Sequence, residues 1–214
     1  MCIRDSSNVA KVDYASAFGY SNEASGLASS AVGFRNKAAS ENASAVGYGN
    51  NANALAASAV GYNNTAGGVG SSTIGYNNTA TNENASAFGY GNTAGGLASS
   101  AFGFSNTASG DNANAFGYNN IASGSKSHVF GTGNTVSGSN STAVGTANEV
   151  AAENSTAIGN NNTISSGAEN SAALGNNISI SLKDSVALGN NSTATAINSV
   201  TGNSSYTKWA GVSD

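Results

Sequence analysis

Small and large apolar side chains alternate along most of the chain in short stretches separated by polar turns, and the stretches return at a fixed interval. Ser86-Ala87-Phe88-Gly89-Tyr90-Gly91-Asn92 is one such stretch. Its glycine belongs to a series (Gly19, Gly33, Gly47, Gly61, Gly75, Gly89, Gly103, Gly117, Gly131, Gly145 and Gly159) spaced by fourteen residues without a slip. Three residues after each stands an asparagine: Asn22, Asn36, Asn50, Asn64, Asn78, Asn92, Asn106, Asn120, Asn134, Asn148 and Asn162. A register held this strictly predicts a solenoid, one coil per repeat.

Within a unit, Ala85 to Tyr90 has the period of two expected of a strand. The shorter stretch Thr93-Ala94-Gly95-Gly96 predicts a second strand of small residues. Frequent glycine and the wrong apolar period exclude helix as the main state. The fold class is therefore all-β: a parallel β-roll or solenoid with fourteen-residue coils and two short strands per coil. The large residue before the glycine is assigned to the interior, so Phe88, Phe102 and Phe116 are expected to be buried. Ala87, Ala101 and Ala115, with the glycines, then form a flat outer face that another chain can approach, and Ala101→Arg is expected to break that contact.

The residue after the glycine is aromatic in eight coils: Tyr20, Phe34, Tyr48, Tyr62, Tyr76, Tyr90, Phe104 and Tyr118. Four residues further on these coils carry alanine, from Ala24 to Ala122. In the next four coils the aromatic becomes Thr132, Thr146, Asn160 and Asn176, and the alanine becomes Val136, Val150, Ile164 and Ile180. The exchange of volume places both positions inward at one edge of the coil, sharing one packed space. An outer aromatic stripe facing a partner is the alternative.

Charge marks the exposed positions. Glu23, Lys37 and Glu149 follow a repeat glycine by four residues, and Asp13, Glu41, Glu83, Asp111, Glu153 and Glu169 precede one by six. None falls on the large apolar position, as the cost of an unpaired buried charge requires. Only 8% of the 214 residues are charged, the net charge is −4, and the seven basic residues are scattered. That balance excludes a nucleic-acid partner. No apolar run reaches the length of a membrane span, so this stretch inserts into no membrane directly. Cys2 is the only cysteine, so no internal disulfide forms.

Residues 1–10 do not fit the repeat and read as a non-repeat scar. The coils run over 11–202, with spacings of sixteen, fourteen and thirteen residues at the end (Gly159, Gly175, Gly189, Gly202). Residues 203–214, with Trp209, are a tail or the start of a further segment.

Candidate chemistry is sparse. The asparagine column reads as a structural ladder, since asparagine tolerates left-handed turns and stacked amides bond along a cross-β axis. The lone His128 occupies a position otherwise held mostly by Ser or Thr and reads as a ladder residue; a metal or anion site built from several chains is the weaker reading. Gly67 to Ile74 mimics a calcium-roll nonapeptide but has Ser72 where the ion needs aspartate. No nucleophile, base or carboxylate pair converges, which predicts no enzyme and no cofactor or metal. No ligand-binding residues stand out.

Ser-Ala-φ-Gly-x-x-Asn-x-Ala-x-Gly, repeated every fourteen residues, resembles the head repeats of trimeric autotransporter adhesins. Asn140 to Gly145, Asn154 to Gly159 and Asn170 to Gly175 are the best copies. The resemblance implies a left-handed parallel β-roll assembled as a homotrimer. It also implies display on the bacterial cell surface, anchored in the outer membrane by the parent protein, for attachment to a host or matrix protein or glycan. Neck, stalk and barrel motifs are missing, so a head fragment is expected. A structural segment of a phage tail fibre, carried on a virion, is the alternative. An ice-binding solenoid is disfavoured because Thr65, Thr79, Thr93, Thr107, Thr135 and Thr163 are interrupted by Glu23, Lys37 and Glu149.

Overall fold

The computed structural model describes residues 2–4 and 7–195. The tail expected at 203–214, with Trp209, and the last of the coil region lie outside them. Two compact units are present, Met1–Asn112 and Ala113–Asp214. Each consists of parallel strands alternating between long and short, and no helix occurs among the described residues.

Each fourteen-residue coil contributes a five-residue strand such as Ser86–Tyr90 and a two-residue strand such as Thr93–Ala94. In the first unit every long strand pairs in parallel with the next, Ser72 opposite Ser86 and Gly75 opposite Gly89. Short strands form a second ladder, Thr79 opposite Thr93. The second unit repeats this, with Thr142 opposite Thr156 and Glu149 opposite Thr163. Pairing extends to Cys2–Arg4 against Ser16–Phe18 and Val9–Ala10 against Glu23–Ala24. The chain is thus a parallel β-solenoid. The sixteen-residue interval is absorbed at one corner: Thr156 still pairs with Ala172 and Thr163 with Ser179, so the two extra residues lie between the strands.

Two tips per coil turn the chain in the left-handed backbone region. Arg35, Asn63, Asn77 and Ser105 occupy one tip at φ 53–54°. Asn42, Asn84, Asn140 and Asn154 occupy the other at φ 53–57°. The asparagines that tolerate this geometry are therefore tip residues, and the ladder asparagines are not among the positive-φ positions. The repeat glycine makes a third corner. Gly75 has φ +121°, and a Cβ there would lie 2.1 Å from the Gly89 carbonyl oxygen, so only glycine lets successive coils approach.

The faces of the long strand are the reverse of the expectation. Ala87, Ala101 and Ala115 are fully buried inside the coil. Phe88, Phe102 and Phe116 are half-buried on its outside. The reason is width. Fourteen residues close a loop so narrow that its interior accepts Ala, Ser, Asn and an occasional Val or Ile, and a benzyl group has no room. Alanine is therefore the core, and Ala101→Arg places a charge inside the coil instead of in a contact between chains.

The aromatic residues are also outside, with Tyr20 45% and Tyr90 47% exposed. Their alanine partners, and Val136, Val150, Ile164 and Ile180, are buried. The exchange between the two positions is accordingly not one shared space. From Tyr20 to Ile180 a coil carries either an outer aromatic ring or a larger inner side chain; the Gly189 coil, with Asn190 and Ala194, carries neither. A stacked ring pair contributes about 0.5–1.5 kcal/mol beyond its area, and the added inner methyl groups about 0.8 kcal/mol each, so the two devices are of similar size.

Candidate functional site

The asparagine column lies at the corner between the long and short strands and is buried throughout. In the first unit the Asn36 backbone N–H and its Nδ2 both donate to Asn22 Oδ1 at 3.0 Å. Nδ2 also donates to the Val32 carbonyl at 2.9 Å and to the Gly47 carbonyl of the next coil at 2.7 Å. The same pattern holds at Asn50, Asn64, Asn78 and Asn92. In the second unit it holds at Asn134, Asn148 and Asn162. Asn106 and Asn120 are buried in the same way, their Nδ2 groups bonding the Phe102 and Phe116 carbonyls. After Asn162 the position becomes Ile178, whose N–H still donates to Asn162 Oδ1 at 3.0 Å. The Nδ2 and Oδ1 groups of these side chains bond their neighbours within the corner.

A second ladder went unnoticed in the sequence. Buried Ser141, Ser155 and Ser171 each accept a backbone N–H from the serine of the next coil at 3.0–3.1 Å. In the first unit, Ser29, Ser71 and Ser99 instead receive the N–H of Gly26, Gly68 and Gly96. The recurring Gly-x-x-Ser spacing in these coils is the signal that could have found it.

The outer face of the long strand is the surface open to a partner. Three columns run along it: mostly Ser or Thr at the start of the strand (Asn114, His128, Ala172 and Val186 excepted), the large apolar residue before the glycine, and the residue after it. The apolar column comprises Phe18, Val32, Val46, Val60, Ile74, Phe88 and Phe102 in the first unit. Phe116, Phe130, Val144, Ile158, Leu174 and Leu188 compose it in the second. Phe18 and Ile74 are 50% exposed. In the first unit the third column is a stack of rings from Tyr20 to Phe104, with centroids 4.7–5.2 Å apart and planes within 14° of parallel. In the second unit it becomes polar after Tyr118, with Asn160 Nδ2 donating to Asn176 Oδ1 at 2.7 Å.

Charge touches this face lightly. The Arg35 guanidinium lies 5.0 Å from the Phe34 ring centroid. Lys11 pairs with Glu23 and holds its carboxyl below the usual range, more than burial raises it. His128 stands half-buried in the Ser/Thr column, its Nδ1 2.9 Å from Asn114 Nδ2. Among the described residues no three His, Cys, Asp or Glu side chains gather as a metal site would require. No helix there is long and apolar enough to cross a membrane.

No relative among curated proteins matches the chain. The family model described as the YadA head domain repeat matches at residues 13–36, 66–92, 94–120, 108–134, 122–148, 137–162 and 183–200. Heads of this family belong to adhesins anchored in the outer membrane; they form trimers and are in general non-enzymatic. Fourteen-residue coils, the interior of alanine and the matched segments, which together span well over half of the sequence, agree, and the chain belongs to the YadA-type head repeats of trimeric autotransporter adhesins.

Proposed function

We propose that this chain is head material of a non-enzymatic adhesin, held at the bacterial cell surface as a homotrimer and used for attachment to a host or matrix surface. The observation that supports the reading most is the outer apolar column. Among the described residues it is apolar in each coil from Phe18 to Leu188 and stands partly exposed on the outside, Phe18 and Ile74 at 50%. An apolar row of that extent is unusual on a monomer, and closed cyclic symmetry lets identical chains cover it in one another. Subunits therefore meet through the column holding Ile74 and Ile158, not through the alanines.

Sedimentation equilibrium tests the assembly. The full chain is expected as a trimer at micromolar concentration, and Ile158→Lys as a smaller species with an unchanged strand spectrum. A well-folded monomeric wild type would overturn the trimer. Attachment is read separately, by binding of the trimer to immobilised matrix proteins and to intact host cells. Trimer that binds none of these surfaces above an unrelated solenoid would overturn the adhesive role.

A further inference from the structure

The aromatic column of the first unit is not uniform in its chemistry. Tyr48, Tyr62, Tyr76 and Tyr90 follow one another without interruption, while Phe34 separates them from Tyr20 and Phe104 bounds them after Tyr90. Strand register sets each tyrosine opposite the next, Tyr48 against Tyr62, Tyr62 against Tyr76 and Tyr76 against Tyr90. The rings stack with centroids 4.9, 4.9 and 4.8 Å apart and planes 5°, 2° and 4° from parallel. Rings this parallel and this regularly spaced set like atoms over one another, so the Cε carbons that flank each phenol oxygen face those of the next ring. All four side chains are 42–47% exposed, which leaves one edge of the stack open to solvent.

Oxidative phenol coupling needs this arrangement. One-electron oxidation of a phenol places the radical partly on its two ortho carbons, and two such carbons join only where two radicals meet. Holding the partners side by side replaces a rare encounter of short-lived species with a unimolecular step. Phenylalanine has no O–H to lose, so Phe34 and Phe104 continue the stack but end the reactive run.

We propose that Tyr48, Tyr62, Tyr76 and Tyr90 form a site of oxidative modification, where a peroxide acting through a peroxidase couples successive rings into covalent rungs between coils. Each of two phenols gives up one electron and one proton. The two phenoxyl radicals form a Cε–Cε bond, and each joined carbon passes its hydrogen, as a proton through solvent, back to its own phenol oxygen. Two hydrogens leave the chain per rung, and one hydrogen peroxide is reduced to two waters. The rings close the remaining distance by turning about their side-chain bonds at the open edge. Tyr48 with Tyr62 and Tyr76 with Tyr90 uses every ring once; Tyr62 with Tyr76 is the alternative pairing. A rung closes a loop of one coil in the unfolded chain, as a disulfide would, and so staples two coils together. Coupling depends on the register of the coils, not on the trimer or on adhesion.

Other tyrosines are controls within the same chain. Tyr20 stacks on Phe34. Tyr14 sits on a left-handed tip, and no ring stacks on it among the described residues. The dilute full chain is treated with a peroxidase and limiting hydrogen peroxide, beside a separate sample of free tyrosine that shows the enzyme to be active. Biphenol fluorescence, intact mass and peptide mapping read the product. A single chain lighter by two hydrogens per rung is expected, with links between neighbours of the four and a higher urea midpoint than the untreated chain. Tyr62→Phe with Tyr76→Phe keeps every ring of the stack and six of the eight tyrosines, yet is expected to lose the intrachain product. Adding Phe34→Tyr to that variant links Tyr20 and Tyr48 into a new phenol run and is expected to restore the product there. An unreacted chain beside coupled free tyrosine, chains joined to one another instead of within, links to Tyr14 as frequent as those inside the run, an undiminished product in the double variant, or an unchanged urea midpoint would each overturn the proposal.

Discussion

Two arginine substitutions separate the interior of the coil from its outside. Ala101 is fully buried, in register with Ala87 on the preceding coil. A guanidinium there has no partner, and an uncompensated buried charge costs about 3–5 kcal/mol. For a chain of this length 1 kcal/mol moves the midpoint by about 2–4 °C, so Ala101→Arg should lower melting by roughly 6–20 °C. Ala101→Asp, too short to snorkel out of the coil, should do at least as much. Ile74 is 50% exposed on the apolar column. Full burial of such a side chain contributes about 1.5–3 kcal/mol, so Ile74→Arg removes about 1 kcal/mol from the subunit itself. Its effect should appear instead in the association constant. Melting by circular dichroism across a tenfold concentration range, with sedimentation of each variant, reads both quantities. A folded, dissociated Ala101→Arg beside an unfolded Ile74→Arg would show that the faces are assigned the wrong way round.

Three further outcomes follow from the ladders and charges. Asn78→Ala leaves the buried Asn92 N–H without its 3.0 Å acceptor; a loss of about 1–3 kcal/mol is expected for one unsatisfied buried donor, measured by urea titration, and unchanged stability would show that the amide ladder carries no weight. Gly75→Ala forces a Cβ within 2.1 Å of the Gly89 carbonyl oxygen at φ +121°; the dihedral alone costs about 1–3 kcal/mol, and limited proteolysis should cut first at these coils. Lowering of the Glu23 carboxyl by Lys11 means that its contribution is present above the ordinary carboxylate range and lost as pH falls through the lowered folded value. For a pair this exposed the screened contribution is under about 1 kcal/mol, so Lys11→Met should lower stability by that small amount at neutral pH and leave it unchanged below the lowered folded value, which flattens the acid side of the curve.

The period, the all-strand character and the parallel stacking were all legible in the chain, because a strict interval of fourteen residues can be satisfied only by coils that place like residues on like. Charged positions were legible too, since a charge such as Glu41 or Asp111 is affordable only in water. Which face of the long strand is inside was not. Alternation at Ala87-Phe88 shows that the two faces differ, and the usual rule sends the larger residue inward. That rule assumes a core wide enough to receive it. Closure of the coil in fourteen residues sets the interior width, and width is a property of two strands packed back to back, absent from either strand alone. It sent alanine in, pushed Phe88 and Tyr90 out, and left the apolar column on the outside of the coil. The asparagines divide in the same way. Their spacing already suggested a ladder through Asn78, but only stacking decided that this column lies buried in the corner and that the left-handed turn falls to Asn77, one residue earlier, in solvent.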